Sequence, residues 1–237
     1  TFAMVLQWCK EDFPDGIGTG SWDSSFSWEE GDAHVFNWHP VLMVTAFVFI
    51  FAEAAIAYTW LPVSKPIAKA IHVALQSAAI IVMSVGLVAV FRFHNEADPP
   101  IDNLYSMHSW VGMAVVVIFC VQYLAGLYHF LVPEDTLPNT DAEGKAMYLA
   151  YHKYAGIVLF VLAVAAACLG LFEKMAFMNA IKPDETLYPD DPRHLAPAYY
   201  RANIIAVLMT LLSILVAVVI SRPRSSSAGF ASEPLLA

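Results

Sequence analysis

The sequence predicts an all-α membrane protein, a six-transmembrane-helix bundle whose first helix is truncated. Three observations predict it. Of 237 residues, 59% are hydrophobic and 14% charged, and mean hydropathy is +0.59, far from the values of soluble domains. Five apolar runs are long enough to cross about 30 Å of hydrocarbon. Four histidines sit inside or at the ends of those runs, where an ionisable side chain is costly.

The expected helices cover residues 1–9, 39–60, 67–91, 105–132, 148–172 and 199–220. TFAMVLQW is apolar and ends in Trp8, as an interfacial anchor would, but is too short to span. It reads as the end of a truncated helix; no basic stretch precedes it and no small-residue cleavage pattern follows, as a signal peptide would require. The second helix opens on FNWHP, residues 36–40. Pro40 suits a first turn, which needs no amide donor, Asn37 is placed to cap, and Trp38 marks an interface. The connections between helices are rich in Pro, Gly, Asp and Ser, and none is large enough to fold alone. Residues 1–221 therefore form one transmembrane domain, and 222–237, small and polar, a flexible tail.

Alternate loops carry six basic residues on each side. Lys65, Lys69, Lys145, Lys153, Arg222 and Arg224 share one face in short segments; Lys10, Arg92, Lys174, Lys182, Arg193 and Arg201 share the other, diluted by longer acidic loops. Density assigns the first face to the cytoplasm, and with it the tail. The net charge of −9 belongs mostly to the opposite loops, and no nucleic-acid partner is expected. Cys9, Cys120 and Cys168 form no CxxC or CxxCH, so neither a zinc site nor covalently attached haem is implied.

The chemistry rests on histidines. His39, His72, His108 and His152 lie near the N-terminal ends of four successive helices. Because successive helices run in opposite directions, His39 and His108 share one leaflet and His72 and His152 the other. Zinc would want three or four ligands, whereas axial ligation of a haem iron needs two. Gly112 and Gly156, one turn beyond His108 and His152, leave room for a flat macrocycle or allow close helix packing. A single intramembrane histidine is often an interhelical hydrogen-bond partner; four at matched depths point to two haem groups and transmembrane electron transfer.

FNWHPVLM, FHN (93–95), LYSMHSW (104–110), YHKYAGIVLF (151–160) and GLFEK (170–174) resemble the eukaryotic cytochrome b561 family, six-helix proteins with two b-type haems. The resemblance implies two haem b, one held by His39 and His108 on the non-cytoplasmic side and one by His72 and His152 on the cytoplasmic side. It implies cytosolic ascorbate as donor, bound by Lys65, Lys69 and Lys145, and an acceptor pocket at His94, Asn95 and Tyr105 for monodehydroascorbate or a ferric chelate. The alternative for Lys65 and Lys69 is anchoring to lipid headgroups, and for His94 an ordinary loop histidine. His34, His129 and His194 take no role. The chain departs from the family at Thr59, where an arginine commonly follows the tyrosine, and in the long acidic stretch 133–147. Glu53, inside the second helix, is expected to be protonated or paired, as a hydrogen-bond partner or a proton-coupling group.

Two functions stand. One is an ascorbate-dependent transmembrane oxidoreductase; the other is a haem-carrying electron-transfer or structural subunit of a larger membrane complex. A homodimer or such a complex is expected, in the plasma membrane or an endomembrane. A haem-free transporter relaying protons through histidines would show no b-type absorption.

Overall fold

The computed structural model describes residues 3–5, 26–177 and 197–221. Among these described residues, five helices are long and apolar enough to cross a membrane. They correspond to the second through sixth expected helices. Of the first, residues 3–5 are described; they are helical, and Val5 is buried in the core. The tail and His194 lie outside the described residues.

Helix α1 runs Ala33–Trp60. It starts earlier than its apolar pattern, in a 3-10 turn over Ala33–Asn37, and Asp32 rather than Asn37 caps it: the Asp32 carboxylate accepts from the His34 amide. That bond lowers the Asp32 pKa, with a smaller contribution from Ser27. Pro40 therefore falls within the first turn of the α segment Trp38–Val44, where its missing amide costs little. A wide π turn over Thr45–Ile50 interrupts the helix before α geometry resumes at Phe51. Pro62 follows the last turn.

Helix α2, Lys65–Glu96, starts after an extended Ser64 with proline in its first turn. It runs five residues past the expected end, because Arg92 and Glu96 make a bidentate i,i+4 ion pair at 2.8 and 3.1 Å. Arg92 also donates to the Trp28 carbonyl and Glu96 accepts from the Gly31 amide, tying the segment before α1 to this helix end. His94 and Asn95, expected in a loop, are thus helical. Helix α3, Met107–Leu131, opens on a reciprocal capping box between Ser106 and Ser109. Helix α4, Ala142–Phe177, begins where the Asp141 carboxylate accepts from the Gly144 amide, and it puts Lys145 in its first turn. Helix α5 is Pro197–Ser221.

Two antiparallel hairpins, α1–α2 and α3–α4, face each other, and α5 packs against α4 and the later part of α1. Between the hairpins lies an aromatic core. Phe47 and Phe119 meet edge-on at 5.2 Å, and Phe51 stacks on Phe160 at 5.4 Å. Ile81, Val121, Leu124, Val207 and Leu211 face outward; in water they would be an aggregating patch, in lipid they are the ordinary outer surface. The chain is an integral, multi-pass membrane protein.

Candidate functional site

The helices bring four histidines together as two pairs. His39 of α1 and His108 of α3 have ring centres 6.1 Å apart, with planes at 83°. His72 of α2 and His152 of α4 are 6.3 Å apart at 69°. His108 lies at the start of α3, whereas His39, His72 and His152 sit about two to three turns in, because α1, α2 and α4 begin earlier than their apolar runs. From His72 to Gly86, whose carbonyl meets His39, α2 climbs about 21 Å at 1.5 Å per residue, so the pairs lie near opposite ends of the bundle.

Each pair tests as a seat for one metal atom. A metal–imidazole bond of about 2 Å and a ring nitrogen ~1.1 Å from its ring centre place two imidazoles on opposite sides of one metal with centres about 6.3 Å apart. Both pairs match that spacing. Three of the rings are also held in one tautomer. His39 Nδ1 donates to the Gly86 carbonyl at 3.0 Å, His72 Nδ1 to Ala54 at 2.7 Å and His108 Nδ1 to Ala166 at 2.8 Å. With Nδ1 protonated, Nε2 keeps its lone pair for a metal. Among the described residues no three His, Cys, Asp or Glu side chains cluster at metal-binding distance; a pair of imidazoles is a donor set that a haem iron can accept.

Glycines make the rings fit. A Cβ on Gly170 would stand 2.7 Å from His108 Cε1, and one on Gly126 would stand 3.3 Å from His152 Cε1. A Cβ on Gly112 would meet nothing within 4 Å, leaving open space one turn from His108, whereas on Gly156 it would meet Gln122 Nε2 at 3.2 Å. Sequence reasoning found Gly112 and Gly156 but gave no role to Gly126 and Gly170. The signal was present as a repeat. Eighteen residues after His108 comes Gly126, and eighteen after His152 comes Gly170, five full turns at about 3.6 residues each. On antiparallel α3 and α4, the histidine of one helix therefore meets the distant glycine of the other.

At the His72 and His152 end the rings sit in an aromatic collar. Tyr58 lies 5.5 Å from His72, and Phe130 and Tyr148 lie 5.5 and 5.6 Å from His152. His129, given no role from sequence, stacks on Tyr148 at 4.0 Å and makes a 3.3 Å hydrogen bond to the Asn139 carbonyl. Lys69 is half-buried one turn before His72, Lys65 is exposed at the helix start, and Lys145 pairs with Glu134 at 3.4 Å. Thr59, where an arginine was expected, bonds back to the Ile56 carbonyl. Glu53 points outward from α1.

The other end carries a polar cluster. His94 Nδ1 donates to Asn103 Oδ1 at 3.1 Å, and Asn103 Nδ2 donates to Asn95 Oδ1 at 2.9 Å. Tyr105, 6.4 Å from His94, donates to Glu173 Oε1 at 2.8 Å, while Ser106 donates to Glu173 Oε2 at 2.8 Å. Burial, reinforced by the Glu173 carboxylate, pushes the Tyr105 pKa up. Phe93 and Phe36 bridge from His94 to His39, with successive ring centres 5.8, 5.1 and 6.1 Å apart. Asn103, Glu173 and Phe36 had no sequence assignment; Glu173 lies in GLFEK, at the far end of an apolar run, and only the fold places it over the start of α3.

The family described as eukaryotic cytochrome b561 matches residues 38–178. A plasma membrane ascorbate-dependent reductase CYBRD1 of Xenopus tropicalis is 37% identical over 71% of the chain and 58% of its own length. The CYBRD1 reductase of Rattus norvegicus is 34% identical over 93% of the chain and 69% of its own length. Transmembrane ascorbate ferrireductase 1 of Arabidopsis thaliana is 36% identical over 67% of the chain and 64% of its own length. The chain thus spans 58% of the length of the frog relatives it matches. With its matched segment running from the start of the α segment of α1 through the end of α4, the chain belongs to the eukaryotic cytochrome b561 family.

Proposed function

We propose that this chain passes electrons across a membrane, from cytosolic ascorbate through two haem b groups to monodehydroascorbate or a ferric chelate on the other side. The carrying observation is the presence of two imidazole pairs at metal-bridging spacing, one near each end of the bundle. His39 and His108 would hold one haem, His72 and His152 the other. Bound haem supplies a one-electron carrier.

The chain's own residues do the remainder. The backbone carbonyls of Gly86, Ala54 and Ala166 orient three of the ligands. Phe47, Phe51, Phe119 and Phe160 fill the interior between the pairs and exclude water, so electrons can cross without a path for protons or ions. Lys69 and Lys65, beside the His72 pair, attract the ascorbate anion, with Lys145 shared between that site and Glu134. This assigns the His72 and His152 end to the cytoplasm, in agreement with the density of basic residues. At the opposite end, His94, Asn95 and Tyr105 offer polar groups to the acceptor, each held by a neighbour: Asn103 holds His94 and Asn95, and Glu173 holds Tyr105. The relatives named ascorbate-dependent reductase and ascorbate ferrireductase support the donor and the reaction class.

The test is haem content and reduction kinetics of the purified chain in vesicles of known orientation. Two haems per chain, reduced by ascorbate on the Lys65 side and reoxidised by ferric chelate or monodehydroascorbate on the other, support the reading. Reduction only when partner subunits are present would favour the alternative of a subunit within a larger complex, and a chain without b-type absorption would end both.

A further inference from the structure

The repeat shared by α3 and α4 is broken at one position, and the break falls on one haem seat. Fourteen residues after His152 comes Ala166, and fourteen after His108 comes Gln122. The two positions are equivalent in the antiparallel pair. On α4, the Ala166 carbonyl accepts from His108 Nδ1 at 2.8 Å, and the His108 ring lies so close to Gly170 that a Cβ there would be 2.7 Å away. On α3 the corresponding bond is not made. Instead the Gln122 carboxamide reaches across, and Nε2 donates to the main-chain carbonyl of His152 at 3.1 Å. The ring stands further off, 3.3 Å from a Cβ on Gly126. Gly156 makes room for the amide, since a Cβ there would meet Nε2 at 3.2 Å. His152 Nδ1, which is buried, has no hydrogen-bond partner among the described residues.

We infer that Gln122 is a positioning residue that withholds the second hydrogen bond from His152 and thereby sets the haem held by His72 and His152 at the higher midpoint potential of the two. An Nδ1–H that donates to a carbonyl makes the imidazole a stronger electron donor to its metal, which favours the ferric state. His39 and His108 are both anchored in this way; of the other pair only His72 is. The less anchored pair donates less and favours the ferrous state. The haem facing the donor is therefore the easier to reduce, so that ascorbate on that side fills it first.

This inference rests on the proposed haem seats, and its test separates the two. Redox titration of the haem-loaded full chain in lipid nanodiscs, with His39→Ala and His72→Ala as single-haem references, assigns each midpoint to a seat. The haem surviving in His39→Ala is expected at the higher potential; a value at or below that of the haem surviving in His72→Ala overturns the inference even if both haems are present. Gln122→Ala recreates the Ala166 arrangement on α3 and is expected to lower the midpoint of the His72 and His152 haem alone, with a matching shift in its low-temperature electron paramagnetic resonance signal. Gly126→Ser, which brings a hydroxyl acceptor towards Nδ1, is expected to do the same, while Gly126→Ala adds similar bulk without an acceptor and is not. Equal shifts in Gly126→Ser and Gly126→Ala, or a shift confined to the other haem, refute the role of the hydrogen bond. Loss of b-type absorption from the unaltered chain would instead refute the haem seats themselves.

Discussion

Replacing Gly170 by alanine tests the steric basis of the His39 and His108 seat. The new methyl carbon would lie 2.7 Å from Cε1 and 2.9 Å from Nδ1 of His108. Carbon atoms in contact prefer about 3.5–4.0 Å, so the ring or the helix must yield by roughly 1 Å. The ring is rigid and is pinned by its 2.8 Å bond to Ala166, which lies four residues before Gly170 on the same helix. Overpacking of this kind costs about 1–3 kcal/mol, and losing the pinning bond adds ~1 kcal/mol. The gain of about 0.5–1 kcal/mol from removing a helical glycine does not offset this. Metal–ligand distances tolerate only about 0.2 Å, so a displaced His108 no longer closes the pair. On the proposed two-haem reading, Gly170→Ala is expected to lose one haem, measured as haem per polypeptide, with the haem proposed for His72 and His152 retained. Gly86→Ala, whose methyl would meet Met43 Sδ at 3.1 Å and Leu42 Cβ at 3.2 Å, both longer than the 2.7 Å at Gly170, is expected to retain more. A Gly170→Ala protein with two haems and an unchanged spectrum would refute the steric reasoning.

Further outcomes are expected for the histidine pairs, the cations beside His72 and the Tyr105 phenol. His72→Ala and His152→Ala should lose the same haem and His39→Ala and His108→Ala the other, each assigned by potential and spectrum; any crossed pattern would break the pairing. Lys69→Ala should raise KM for ascorbate about two- to fivefold, the effect of ~0.5–1 kcal/mol from one partly exposed charge, and high salt should shrink the difference. Glu134→Gln, which releases Lys145, should lower KM on the same assay. Tyr105, whose pKa lies above its ordinary value of 10.0 through burial and then through Glu173, should show its tyrosinate signal later in an alkaline titration than a free phenol. Its contribution to stability is complete below that ordinary value and is lost as pH rises through the raised one. Glu173→Gln should bring the signal back towards 10.0, and the difference spectrum against Tyr105→Phe isolates it.

The membrane-spanning helices were legible because lipid leaves few alternatives: an apolar stretch of some 20 residues must satisfy its own backbone, and only a helix does so within one segment. Their ends were not. Polar extensions such as Arg92–Glu96 and Ala142–Lys145 remain helical through ion pairs and caps that hydropathy does not register. That is why His94 and Asn95 were expected in a loop and stand on the last turn of α2. Asn37 looked like a cap because it precedes an apolar run, yet Asp32 caps the helix instead, ahead of the 3-10 turn. The repeat of histidine and glycine at eighteen-residue spacing in α3 and α4 was readable in principle, since eighteen residues is a whole number of turns, but its meaning depends on the two helices being antiparallel neighbours.

By itself, then, the sequence determined that this chain is a helical membrane protein with four intramembrane histidines at alternating ends, because hydrophobic length and helix direction follow from local chemistry alone. Only the tertiary structure decided how far apart the rings stand, which carbonyls three of the four Nδ1 atoms find, and that Gly170, Gly126, Gln122 and Glu173 shape the sites. Those are properties of contacts between helices, and a hydrogen bond or a 2.7 Å collision across 58 or more residues of chain is set by packing rather than by any local run of residues.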